Sequence, residues 1–294
     1  MKRVVVALAL FAALSVPVLA QEALGIDTSL VVASTLEMKA EVSKTWSEST
    51  PFGGLAFTPA LELSPITVAG RAALTWSAPI PLVTATLGGT VGSGWKFLSI
   101  ANGVGVQQAG LATMKYSESP FSGIYFKGRA GGAIQFDTAA IWPGEWNSLI
   151  TQSYHEIYYE YLTGTSASDV WLYEAGGSKI NGFRYRSSSV LGYQMPLVLS
   201  RVLAMLETDI RVTNQKTSTM ASGGWGSDFL YMVPGFLATF SFGKNTSLDT
   251  TVQFQNKLNY TSPLDASLYS SKVDAANPVG WAFRRVAVIL NVKL

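Results

Sequence analysis

The amino-acid sequence predicts an all-β fold, a transmembrane antiparallel up-and-down β-barrel of about 12 strands, with about 10 or 14 as the alternatives. Apolar and polar residues alternate with period two in segment after segment, which is typical of strands with two unlike faces. Charged residues make up 14% of the chain, against roughly 25% in ordinary soluble domains. After the N-terminal segment, no apolar stretch is long enough to cross a bilayer as a helix.

The N-terminus has the order of a secretory signal peptide. A basic start at residues 1–3 is followed by an apolar run at residues 4–16 and by small residues up to Ala20. The apolar run is shorter than the about 20 residues that a spanning helix needs. We therefore expect residues 1–20 to be a cleaved signal and residues 21–294 to form a single barrel domain.

The alternating segments are the predicted strands. They are residues 29–42, 54–63, 66–76, 81–91, 109–116, 123–137, 151–162, 182–191, 198–212, 229–242, 247–260 and 283–294. Many of them exceed the about 9 to 11 residues that a tilted spanning strand needs, whereas strands of soluble sheets average about five or six. In a spanning barrel the apolar face of each strand contacts lipid and the polar face lines the lumen.

The connections support a barrel with both termini in the periplasm. Counted back from Leu294, long external connections should alternate with short internal ones. The long set is predicted at residues 44–53, 163–179, 213–227 and 261–280, and the short set at residues 64–65, 193–196 and 243–245.

Two long apolar connections, residues 93–108 and 138–149, fall on the internal side in this register. Either they fold inward and constrict the lumen, or a strand is missed and the register is mistaken.

Aromatic residues are expected at the membrane interface, near the strand ends. Every tryptophan lies at a predicted strand end or in a connection: Trp46, Trp76, Trp95, Trp142, Trp146, Trp171, Trp225 and Trp281.

The signal segment, the amphipathic strands and the terminal stretch VAVILNVKL together resemble the bacterial outer-membrane β-barrel class. The resemblance implies location in the outer membrane, contact with its lipid, and recognition of the last strand by the barrel-insertion machinery. Leu294 stands where that class usually carries Phe or Trp. The Gly-Trp and WPGEW stretches resemble those of spirochaete surface proteins, and no named subfamily is indicated. Closure requires the terminal segment to pair with the strand near Leu30–Val42.

The predicted inner face carries charges of both signs. Like-signed stripes across a wet lumen would select ions, whereas mutually paired charges would only brace the wall. Glu62 also falls on this face. The candidate pore-lining residues are Glu37, Lys39, Glu41, Arg71, Lys127, Arg129, Asp137, Glu156, Glu160, Arg184, Arg186, Arg201, Glu207, Asp209, Arg211 and Arg285.

Catalysis is not expected. The chain has one histidine, His155, and no cysteine, and it lacks nucleophile-elbow, Walker and metal-ligand spacings. Glu156 and Glu160 form an acidic stripe rather than an acid/base couple. We expect no enzyme activity, no cofactor and no metal. Without Lys2 and Arg3, 21 basic residues become 19, equal to the 19 acidic ones, so nucleic acid is not an expected partner.

The first functional hypothesis is therefore a porin-like channel or transporter for small solutes with a charged lumen. The alternative is a surface adhesin or antigen that binds a host ligand through its loops and uses the barrel only as an anchor. An exported soluble β-sandwich is a third hypothesis. The alternation of apolar and polar residues does not indicate an oligomeric state.

Overall fold

A computed structural model describes residues 27–33, 38–79, 82–97, 101–107, 115–117, 121–166, 169–174, 179–213, 215–216, 219–261 and 272–293. The predicted signal at residues 1–20, Glu37 and Leu294 lie outside these residues. No helix in the described ranges is long and apolar enough to cross a membrane.

The described residues form strands and one short 3-10 turn at Thr138–Ala140. The strands are β1 (Asp27–Ala33), β2 (Met38–Ser43), β3 (Trp46–Thr50), β4 (Gly53–Leu63), β5 (Thr67–Ser77), β6 (Val83–Gly94), β7 (Lys96–Phe97), β8 (Ala101–Asn102), β9 (Val104–Gln107), β10 (Lys115–Tyr116), β11 (Ile124–Asp137), β12 (Ser148–Leu162), β13 (Val170–Tyr173), β14 (Gly182–Gln194), β15 (Leu199–Arg211), β16 (Tyr231–Phe242), β17 (Thr246–Leu258) and β18 (Val279–Lys293).

The main sheet is antiparallel, and its pairings run in a ring. It contains 13 strands, but β2 and β3 both pair with β4 and share one place in the wall, which leaves 12 places. From β4 the pairing passes through β5, β6, β11, β12 and β14 to β18 in chain order. It then returns through β1 and β2 to β4. The predicted all-β antiparallel fold of about 12 strands is confirmed.

The seam lies where it was predicted, because Leu30 in β1 is the partner of Leu290 in β18. The predicted strand at residues 29–42, however, is wrong as one piece. It is two strands, β1 and β2, which pair antiparallel with Val32 opposite Met38. The sequence between them, Ser-Thr-Leu-Glu, contains no Gly, Pro or Asn that would interrupt the predicted strand.

The predicted barrel strand at residues 109–116 is also wrong. Within it the structure describes only β10, which belongs to a separate three-stranded sheet with β9 and β13. Because one strand too many is predicted here and one too few near the N-terminus, the predicted number of strands is unchanged. The connections between these two places in the sequence, however, lie at the opposite end of the ring from the one predicted.

The long connections after β6, β12, β15 and β17 meet at one end of the ring, which we name the loop end. Residues 64–66, expected with the short turns, lie there as well, since the Trp95 N–H donates to the Ile66 carbonyl at 2.9 Å. The turn at residues 51–52 lies at the opposite end, named the turn end, although residues 44–53 were expected with the long connections. The described residues between 93 and 107 therefore belong to the loop end, so the predicted register is mistaken there. Residues 103–107 also fold inward at that end, which is the other expectation for this connection.

Residues 138–149 do lie at the turn end, but they do not fold inward. Ile141, Trp142 and Trp146 are exposed there. The exposed ring of Trp281 also agrees with an interfacial role, whereas Trp171 and Trp225 are buried among the loops.

The wall has an apolar outer face and a more polar inner face. In β6, Val83, Leu87 and Val91 are exposed, while Thr84 and Thr86 between them are partly covered. The same alternation exposes Phe236 in β16 and Ile134 in β11. Exposed side chains of this size would be unusual on a protein surrounded by water.

The seam can be tested with cysteines, since the chain has none of its own. Directly opposed residues lie within disulfide range, so a Leu30→Cys, Leu290→Cys double variant should crosslink on mild oxidation. A Leu30→Cys, Val286→Cys pair is four residues out of register, about 13 Å, and should not. Gel mobility after oxidation reads out both. Equal crosslinking of the two pairs would contradict the register.

Candidate functional site

Charged and amide side chains form a band around the inner face, which we name the belt. Its members are Glu41, Glu62, Arg71, Arg129, Glu156, Arg186, Glu207, Gln253 and Arg285. They come from β2, β4, β5, β11, β12, β14, β15, β17 and β18. Because inward residues alternate with outward ones, each strand can supply one belt side chain without breaking the apolar outer face.

The first part of the belt joins β2, β4 and β5. Arg71 pairs with Glu41 and also has Nη2 at 3.4 Å from Glu62 Oε2. Lys39 Nζ lies 3.3 Å from the other Glu62 oxygen, Oε1. Two cations therefore share Glu62, so this part of the wall is bridged across three strands by side chains as well as by backbone hydrogen bonds.

The second part centres on Glu156, whose side chain is 1% exposed. Lys127 Nζ lies 3.4 Å and Arg129 Nη1 3.6 Å from its carboxylate. The Tyr154 hydroxyl donates to it at 2.7 Å. A buried carboxylate is costly unless it is paired and hydrogen-bonded, and Glu156 has both forms of compensation.

The third part spans β14 to β18. Arg186 Nη2 donates to Glu207 Oε2 at 2.6 Å, and Gln253 Nε2 donates to Glu207 Oε1 at 3.4 Å. Arg285 Nε then donates to Gln253 Oε1 at 2.8 Å. The Gln253–Glu207 contact passes over β16 at Gly235, where a Cβ atom would lie 3.1 Å from Gln253 Cγ. Arg129 similarly lies over Gly88 of β6, where a Cβ atom would be 2.8 Å from its Nε.

A further pair lies beside the belt. Arg184 Nε donates to Asp209 Oδ1 at 2.7 Å, and the Tyr158 hydroxyl donates to Asp209 as well. Lys127 Nζ lies 3.9 Å from the centroid of the Tyr158 ring, a cation–π contact. The inner wall here is thus an ion-pair network rather than a stripe of one sign.

The loop end is filled by residues 103–107, 115–117, 170–174 and 179–181, which we name the cap. β9, β10 and β13 form its sheet. Val104, Trp171 and Tyr173 are buried against Leu162 and Tyr125 of the wall. The rings of Tyr125 and Tyr173 stack with centroids 4.2 Å apart. The cap is therefore packed into the mouth of the ring rather than extended away from it.

Two ion pairs attach the cap to distant parts of the wall. Lys179 Nζ donates to Glu160 Oε1 at 2.5 Å, and the Tyr125 hydroxyl donates to the same oxygen at 2.7 Å. Glu174 pairs with Lys39 of β2 and accepts from the Thr67 hydroxyl of β5 at 2.9 Å. One attachment is on β12 and the other is on β2 and β5.

The turn end has a polar cavity of about 340 Å³. It is lined in part by Arg201, Thr239 and Asn291. Arg201 Nη2 lies 3.5 Å from the Thr239 hydroxyl, and that hydroxyl donates to Asp249 at 2.6 Å. The mouth opposite the cap therefore offers hydrogen-bonding groups of both kinds.

Most of the sequence-predicted residues come together in these networks. Those found in ion pairs are Lys39, Glu41, Arg71, Lys127, Arg129, Glu156, Glu160, Arg184, Arg186, Glu207 and Asp209.

Three predicted residues have other surroundings. Asp137 accepts from the Ala139 N–H and from the Ser148 hydroxyl, so it caps the turn at residues 138–140. The Arg211 guanidinium lies 5.2 Å from the Trp225 ring centroid at the loop end. Arg201 lines the turn-end cavity.

Sequence reasoning missed the roles of Gln253, Glu174 and Lys179. Gln253 does lie on the predicted polar face of its strand, opposite Val252 and Phe254, but it is not among the candidate pore-lining residues. Glu174 and Lys179 fall in a predicted connection, where no periodicity marks a direction.

A scan against models of protein families finds no match, and a search of curated proteins finds none either. Several solved structures are similar. The NanC porin shares 7% identity over 92% of this chain and 100% of its own, with a TM-score of 0.45. Outer-membrane expressed OmpT of Vibrio cholerae shares 9% identity over 92% of this chain and 96% of its own, with a TM-score of 0.38. The beta domain of the Bordetella autotransporter BrkA shares 10% identity over 92% of this chain and 99% of its own, with a TM-score of 0.38. Likeness of this degree carries no argument about function.

Removal of the buried charge of Glu156 should destabilise the fold. In Glu156→Gln, Lys127 and Arg129 lose their shared carboxylate, and breaking a buried pair costs about 3–5 kcal/mol. Urea unfolding of the protein in lipid vesicles measures the change. Glu48→Gln, an exposed carboxylate in β3, should stay within about 0.5 kcal/mol of the parent. A similar small effect at Glu156 would contradict a structural role for the network.

The cap attachments can be tested by proteolysis. Lys179 is held by Glu160, so trypsin should cleave after Lys179 slowly in the parent protein. A Glu160→Gln, Glu174→Gln double variant removes the carboxylates of both cap attachments and should be cleaved there several-fold faster. Glu48→Gln, Glu145→Gln is the matched exposed pair. Mass spectrometry identifies the site, and an unchanged rate in the first variant would show that these ion pairs do not hold the cap.

Proposed function

We propose that this chain is an outer-membrane channel for small polar solutes. The observation that carries the proposal is the belt, a band of charged and amide groups on the inner face of a ring whose outer face is apolar. Charges facing a dry core are costly even when paired, whereas charges facing a wet lumen keep part of their hydration. The arrangement therefore favours an interior that contains water.

The apolar outer face supports insertion into a membrane. Most wall strands contain 11 to 15 residues, enough to span the hydrocarbon of a bilayer when tilted. In hydrocarbon every backbone polar group needs a partner, and a ring of pairings supplies one at both edges. Together with the predicted signal at residues 1–20, this favours the bacterial outer membrane with both termini in the periplasm. The terminal strand β18 would then be the segment that the insertion machinery binds.

The cap supports a path restricted to small solutes. It fills the loop end with buried aromatic side chains, among them Trp171 and Tyr173. A ring of 12 places is intermediate between the about eight strands whose side chains fill the interior and the 16 to 18 of wide porins. The path would run from the turn-end cavity past the belt and around the cap.

We do not assign enzyme activity to the chain. His155 lies on the outer face, where its ring nitrogens contact the hydroxyls of Ser153 and Tyr185. In the proposed membrane this side chain faces lipid, remote from the belt carboxylates. A cofactor has no role in the proposal.

The alternative is a surface adhesin or antigen anchored by the barrel. The cap favours it, because β9 and β13 from two connections form one sheet, and Trp225 from a third connection packs against Val170 and Ile180 of the cap. A binding surface of that kind would recognise a host component. Membership of a spirochaete lineage is a finer proposal that rests only on the tryptophan-rich stretches.

Conductance in a planar lipid bilayer tests the channel. We expect discrete steps for the purified protein, and the pathway can be located with two neighbouring positions in β6. Thr86→Trp places a large side chain on the inner face and should lower the step size. Leu87→Trp places it on the outer face and should leave the step size unchanged. If the parent protein gives no conductance steps, the channel is rejected and the anchored adhesin or antigen remains. If the two variants give steps of equal size, the pathway lies elsewhere.

A further inference from the structure

The belt carries cations and anions in similar numbers, but they are not equally exposed. The side chains of Arg71, Arg129 and Arg186 are 40%, 38% and 39% exposed. Their carboxylate partners are more covered, at 29% for Glu41, 13% for Glu62, 1% for Glu156 and 22% for Glu207. In each pair the guanidinium is the more accessible member.

Local packing explains this difference. Glu156 is enclosed by Lys127 and Tyr154, while Glu62 is shared between Lys39 and Arg71. The arginine side chains are longer than those of the carboxylates and remain more exposed. Gly88 leaves room for Arg129 to lie over β6 in this way.

At these belt pairs a solute in the lumen therefore contacts guanidinium groups before it contacts carboxylates. Beside the belt the order is reversed, since Arg184 is 13% and Asp209 24% exposed. Each guanidinium has more N–H donors than its carboxylate partner uses, and planar oxyanions accept two parallel hydrogen bonds from such a group. In a narrow passage with low-dielectric walls, the charges nearest the path dominate the field. Near-zero net charge of the wall does not cancel this local effect.

We propose that Arg71, Arg129 and Arg186 form an anion-selective site in the belt, suited to chloride and to small carboxylates. The inference rests on the proposed channel function and adds the class of solute. The covered carboxylates hold the guanidinium groups against the wall. The three arginines, on β5, β11 and β14, supply the accessible charge.

The reversal potential of the reconstituted protein under a potassium chloride gradient measures the preference. The potassium chloride concentration on the dilute side should be about 0.1 M, because higher salt screens the charges of the site more strongly. The parent protein is expected to favour chloride over potassium several-fold. In the triple variant Arg71→Gln, Arg129→Gln, Arg186→Gln the ratio should fall to near unity or below. The triple Arg→Lys variant keeps the charge and should keep the preference.

Two further measurements keep the outcome distinct from folding defects and from failure of the channel itself. Arg129→Gln leaves Glu156 with Lys127, and Arg186→Gln leaves Glu207 with Gln253, so each of these two single variants should shift the ratio part of the way. Glu48→Gln removes an exposed carboxylate outside the belt and should leave the preference unchanged. Conductance with a potassium preference in the parent, or an unchanged ratio in the Gln variants, would overturn the anion site while the channel stands. Absence of any conductance would reject the channel first.

Discussion

Backbone hydrogen bonding across the seam is the constraint on which the rest of the structure depends. A sheet with an open edge would leave a row of unpaired N–H and C=O groups, and the apolar outer face could not then reside in hydrocarbon. The antiparallel pair of β1 and β2 removes that edge, since β1 receives β18 on one side and β2 receives β4 on the other. The inner face depends on this closure, because only a ring brings β2 and β18 near the same lumen.

Within the ring, side-chain length determines which groups meet. Arg186 lies directly opposite Asp209 in the register of β14 and β15, but it forms its ion pair with Glu207. Asp209 forms an ion pair with Arg184 instead. Arg184 and Arg186 each contact the carboxylate one inward position away from the residue directly opposite them in β15.

Alternation in the sequence was sufficient to predict the wall and much of its inner face. The segment 123–137 coincides almost fully with β11, since strong charges at Lys127 and Arg129 oppose large apolar groups such as Phe126. It was insufficient where the period continues from one strand into the next, as between β1 and β2. It also failed where the chain leaves the ring: Glu174 and Lys179 obtain their positions from tertiary packing of the cap, which no local period encodes.

The attachment of the cap to two separate regions of the wall has a mechanical consequence. On the ring of 12 places, β12 and β2 are five places apart, which is almost diametrically opposite. A segment fixed to both by Lys179 and Glu174 acts as a brace across the diameter. It opposes flattening or rounding of the cross-section, so the shape of the lumen and the position of the cap form one mechanical unit.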